Sequence, residues 1–68
     1  MNSGDLRDLW TRLQRAAETV EDVSVLIGPS DRGQAARLRQ IVPGIEAEIA
    51  VLAQKITAAR KAERGSHE

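Results

Sequence analysis

Gly28 and Gly33 bracket the stretch PSDR, directly after the apolar run VSVLI. An apolar run, a glycine, four residues and a second glycine opening a helix is the outline of a phosphate-cradling loop. Its chemistry needs more than the glycines. Backbone N–H groups wrap the phosphates, a Lys after the second Gly reaches the terminal ones, and a Ser or Thr hydroxyl holds the metal. Here Gln34 and Ala35 stand in those two places. The parallel sheet behind such a loop does not fit in 68 residues either. A lone VSVLI strand would have no pairing partner, whereas Val20, Val23 and Ile27 share one helical stripe. The stretch reads as a helix–turn–helix connection.

The other reactive side chains are as sparse. Glu46 and Glu48 stand two apart on a helical stretch, so they do not face each other and form no general acid–base pair. There is no Cys, and the single His, His67, lies beside the C-terminus. That excludes a disulfide, a Cys/His metal site and a Ser/His/Asp arrangement. The expectation is no catalytic residue, no metal, no cofactor, no small-molecule substrate and no enzyme activity.

Arg32, Arg37 and Arg39 form the densest basic stretch, with no acid between 32 and 45. Basic side chains in such a run can contact RNA or DNA phosphates. Against this, no aromatic is near to stack a base. A second use is at hand, because Glu18, Glu21 and Asp22 would meet Arg37 and Arg39 across a hairpin. Arg60, Lys61 and Arg64 suit the negative end of a helix dipole. Trp10, the one aromatic residue, fits either the edge of a core or an anchor in an interface.

Basic and acidic residues balance at ten each. The chain therefore has no global field for nucleic acid or an anionic membrane. No apolar stretch approaches the roughly 18 residues of a membrane span. MNSGDLRDLW lacks the basic-then-apolar order of a secretory signal. A cytoplasmic setting, or a place in a virus particle or multiprotein complex, is the expectation.

The elements behind these residues are helices. With Leu6 as the first seam position of a heptad, Leu6, Leu13, Val20 and Ile27 alternate with Leu9, Ala16 and Val23. Trp10 falls beside that seam. Ser3 or Asp5 would cap this helix, and Gly28, in a left-handed conformation, followed by Pro29 would end it. Ser30 or Asp31 would cap the next, Asp31 with Gln34 having capping-box spacing. A second register then runs through Leu38, Val42, Ile45, Ile49, Leu52, Ile56 and Ala59, with Ala35 extending it backwards. The predicted organisation is an N-terminal tail at 1–4, helices at 5–27 and 31–64 joined by a turn at 28–30, and a C-terminal tail at 65–68.

Pro43 and Gly44 interrupt the second register with the two residues least suited to a helix. Either the helix breaks there, giving segments near 30–41 and 44–64 and a three-helix bundle, or it continues with a kink. The register passes the site without slipping and puts both residues away from the seam, which favours continuation. The fold class is all-α: an antiparallel helical hairpin with a coiled-coil-like heptad seam.

Two helices enclose no core, and the seam stays open on one side. By length, the second helix also outreaches the first, so Leu52, Ile56 and Ala59 are expected to project uncovered. The function expected is a non-catalytic protein–protein interaction module, a small structural subunit or adaptor. It buries its seam against helices of itself, as a homo-oligomer, or of a larger assembly. A homodimeric four-helix-bundle regulator binding RNA or DNA through Arg32, Arg37 and Arg39 is the alternative.

Overall fold

The computed structural model describes residues 1–65; His67 and all of the expected tail beyond Gly65 lie outside the described residues. The chain forms two helices, α1 over Ser3–Ile27 and α2 over Arg32–Gly65, packed as an antiparallel hairpin. The fold is all-α.

Each helix starts on a side chain that accepts an otherwise unpaired N–H. Asn2 caps α1, ahead of the expected Ser3 or Asp5. Its Oδ1 accepts from the Asp5 N–H at 2.9 Å and its carbonyl from Leu6 at 3.1 Å. Asp31 caps α2 in the same way, accepting from the Gln34 N–H at 2.9 Å and the Ala35 N–H at 3.1 Å. The return half of a capping box is not available, because the Asp31 N–H donates to the Ile27 carbonyl at 2.7 Å.

Gly28 is not left-handed: φ −48° and ψ −48° keep it in the right-handed helical region. The chain follows a helical path past Ile27, whose carbonyl accepts from both Ser30 and Asp31, and reverses only at Asp31. The fixed φ of Pro29 is compatible with that path. This late reversal moves the overhang of the longer helix. Ser3 reaches Glu63, so α1 covers the far end of α2, and the first turns of α2 extend beside the turn instead. Ile56 is buried and Leu52 and Ala59 partly so, which corrects the expectation that they project uncovered.

α2 runs without interruption through Pro43 and Gly44, and the three-helix alternative is not adopted. Pro43 removes one helical donor to the carbonyl of Arg39. Both residues are exposed, so water can hydrate that carbonyl. The hairpin is long and thin, 58 × 15 × 12 Å with a radius of gyration of 16.3 Å, where a compact chain of this length has about 11 Å.

Candidate protein–protein interface

Among the least exposed positions of α1, Ser3, Leu6, Trp10, Leu13, Ala17, Val20, Ser24 and Ile27 recur along one stripe, with Gln14 beside it. Those of α2 are Ala35, Leu38, Val42, Ile45, Ile49, Leu52, Ile56 and Ala59. Both follow alternating steps of three and four. On α2 these are the residues singled out from the sequence. On α1 the inward row shifts by one residue in part: Ala17 and Ser24 take the places expected of Ala16 and Val23, and Trp10, already placed beside the seam, faces α2, while Leu9 at 38 % and Val23 at 41 % exposure lie outside the contact, with Ala16 exposed between them. The signal available in the sequence was the small size of Ala17 and Ser24. Small side chains let helices approach, but their weak hydrophobicity hides them from an apolar count.

Shared clefts fix how the helices are rotated. Gln14, Ala17 and Glu21 line one cleft with Glu46 and Ile49. Glu21 and Ser24 line a second with Arg39 and Val42. Arg7 and Trp10 line a third with Ala53, Ile56 and Arg60. One side of the hairpin therefore carries Arg7, Gln14 and Glu21 from α1 beside Arg39, Glu46 and Arg60 from α2. It is charged and grooved.

The remaining flanks must share the opposite side. From α1 these are Leu9, Ala16 and Val23, seven residues apart, with Leu26 just beyond; from α2 they are Ile41, Glu48, Lys55 and, further out, Val51. Five of the seven large exposed hydrophobic residues, Leu9, Val23, Leu26, Ile41 and Val51, are on this side. The rows beneath the two sides differ as well. Under the charged side Ala17, Ser24, Ala35, Val42 and Ile56 are buried, and Ser3, Trp10 and Ile49 partly so. Under the apolar side Leu13, Val20, Ile27, Leu38, Ile45 and Leu52 remain partly exposed. The result is a continuous aliphatic strip along one side of the molecule. Leu6 is the exception in that row, buried near the level of Ala59.

Trp10 is part of the contact between the helices. Its indole Nε1 is buried and has no hydrogen-bond acceptor among the described residues. Ser24, only 2 % exposed, donates its hydroxyl to the Glu21 carbonyl at 2.6 Å, which satisfies the polar group within its own helix.

The three arginines do not converge. Arg32 and Arg39 line a cleft with Gly28 and Ala35 on the charged side. Arg37, two residues from Arg39, is on the other side of α2, and its Nη1 folds back to 3.5 Å from where a Cβ on Gly33 would stand. Glu21 and Arg39 share a cleft, yet no ion pair joins Glu18, Glu21 or Asp22 to Arg37 or Arg39. The ion pair found among the described residues is local, Arg12 Nε to Asp8 Oδ2 at 3.1 Å within α1.

A polar link that the sequence did not suggest closes the open end. Glu63 accepts from the Ser3 N–H at 3.1 Å and from the Ser3 hydroxyl at 2.8 Å. A carboxylate there also meets the positive end of the α1 dipole. The backbone bond from Ser3 and then its hydroxyl bond hold the Glu63 carboxyl below its usual range against desolvation, and nearby Arg60 adds a lesser lowering.

Among the described residues no group of three or more His, Cys, Asp or Glu side chains could hold a metal ion. No helix there is long and apolar enough to cross a membrane. Comparison with family models, with curated proteins and with solved structures found no match. Fold and surface define a class in physical terms: a two-helix hairpin with one charged, grooved side and one apolar side.

Proposed function

We propose that this chain is a non-catalytic protein–protein interaction module, a small helical subunit or adaptor that covers its aliphatic strip with helices of another chain. The observation that carries this reading is the partly exposed row Leu13, Val20, Ile27, Leu38, Ile45 and Leu52 with its apolar flank. The accessible surface agrees. It is 5264 Å², roughly 1,000 Å² more than a compact protein of this mass presents. A standard interface covers about 800 Å² per partner. The reading does not depend on a compartment; a larger protein assembly is the setting it fits.

We prefer this to binding of RNA or DNA through Arg32, Arg37 and Arg39. A phosphate backbone needs one basic track, and these arginines are split between two sides with acids beside one of them.

The test is the thermal stability of the isolated chain at low micromolar concentration, read together with its mass in solution. The proposal expects either an associated species or a monomer without a sharp transition. A monomer melting cooperatively at the 45–65 °C typical of mesophilic domains, as about, would sink it.

A further inference from the structure

Resting on the reading of this strip as a docking surface, we propose that its occupant is a second copy of this chain, turned end for end about a two-fold axis crossing α2 at Val51–Leu52. In this arrangement α2 lies antiparallel to α2 of the second copy, and α1 to α1.

The argument begins with the charges on the apolar side. Glu48 and Lys55 are the charged residues of the α2 flank; both are exposed and neither takes part in an ion pair among the described residues. They stand seven residues apart on one line along the helix, about 10 Å. A two-fold axis midway between them brings each Glu48 against Lys55 of the second copy, making two reciprocal pairs. Such self-complementarity is what an isologous interface requires. An axis at Glu48, or at Lys55, would set like charges against each other. Stacking the copies turn end to turn end would put α2 over α1 of the second copy. Glu48 would then face Ala16, and Lys55 would face Leu9, with no opposite charge for either, a costly use of two ions.

Shape and area agree with the same axis. It places the Leu13–Leu52 level against its own copy, and sets the Val20–Ile45 level against Leu6–Ala59, with Ile45 over the small Ala59. The overlap runs along roughly 27 residues of α2, about 40 Å, and is two helices or about 20 Å wide. That is roughly 800 Å² per copy, what a standard interface needs.

The experiment is sedimentation equilibrium of the full chain and of charge-reversed variants, with helix content followed on the same samples. The wild type is expected to be a dimer. Glu48→Lys and Lys55→Glu each turn two attractive pairs into two repulsive ones, and should each weaken the dimer roughly 10- to 30-fold. The double variant should recover to within about threefold of the wild type, since both pairs are restored with signs exchanged. Mixing the two single variants should give a heterodimer that neither forms alone, a readout that survives poor folding of either one. A dimer indifferent to these reversals, or a double variant no better than the singles, overturns this arrangement. A monomer that is largely unfolded alone overturns the second copy as occupant and leaves the docking surface standing. A sharply melting monomer overturns both.

Discussion

Replacing Pro43 by Ala should stabilise the hairpin. Proline in a helix interior costs about 3 kcal/mol relative to alanine, because its ring crowds the preceding turn and its nitrogen donates nothing. Pro43 is exposed and touches only the rim of the shallow cleft formed with Ser24 and Val25, so its ring contributes little burial. Alanine restores a donor for the Arg39 carbonyl. Against this, proline stiffens the unfolded chain, an advantage of about 0.4–1 kcal/mol that the substitution gives up. The net gain is about 2 kcal/mol, equivalent to a rise in Tm of about 8–16 °C for a chain of this size. The assay is thermal melting followed by far-ultraviolet circular dichroism. Wild type and Pro43→Ala must be compared at one concentration, because association itself raises Tm by mass action. An unchanged or lower Tm would refute the reasoning. It would mean that the path imposed by Pro43 is needed for Val42 and Ile45 to meet α1, and that the proline is a structural part of the packing.

Gly44→Ala tests the neighbouring site independently. A Cβ there meets nothing within 4 Å, so a gain of about 1 kcal/mol in chemical denaturation is expected. Ser24→Ala should change stability by less than about 1 kcal/mol, the lost hydroxyl bond being offset by better helix propensity; Ser24→Leu, forced into a position 2 % exposed, should cost about 1–3 kcal/mol. The Glu63 carboxyl should titrate below the ordinary glutamate value of about 4.3 in side-chain NMR. Because its folded pKa is depressed, its support of the open end is full above the unfolded value and is lost as the pH falls through the folded one. Ser3→Ala should return the pKa only partway, since the backbone donor remains.

Much of the hairpin was legible because both helices carry unbroken three-four spacing and the turn carries Gly28, Pro29 and an Asp. The α2 stripe could be read residue by residue, since its apolar side chains are large and nearly continuous. α1 could not, because it offers two stripes one residue apart: Leu9, Ala16 and Val23, or Trp10, Ala17 and Ser24. Hydrophobicity selects the first, and close approach of two helices selects the second. Only the facing surface decides between them, and that information is in α2. The bond from Ser3 to Glu63 was illegible for a related reason. It joins residues 60 apart in sequence, and its register depends on how far the chain travels past Ile27 before it reverses. The left-handed glycine expected at the end of α1 rested on composition alone, and Gly28 is compatible with both conformations. Asn2 escaped notice as a cap because Ser3 and Asp5 are equally good cap types nearby.

The choice between the two α1 stripes also explains why the hairpin has two unlike sides. On one side the inward row includes the small residues Ala17, Ser24 and Ala35, and charged residues rim the clefts above it. On the other, Leu13, Val20, Ile45 and Leu52 stay partly exposed beneath an aliphatic flank. Two helices cannot bury both rows. Leu9, Val23 and Ile41, at 38 %, 41 % and 49 % exposure, alone leave roughly 2–3 kcal/mol of apolar burial unrealised. That is a large share of the 3–5 kcal/mol, as about, that a core of this size supplies. Had Leu9 and Val23 taken the inward stripe, the isolated hairpin would bury more aliphatic surface and keep less of it outside. Leu9 and Val23 lie exposed instead, so if a second chain covers the strip as proposed, covering it should strengthen fold and complex together.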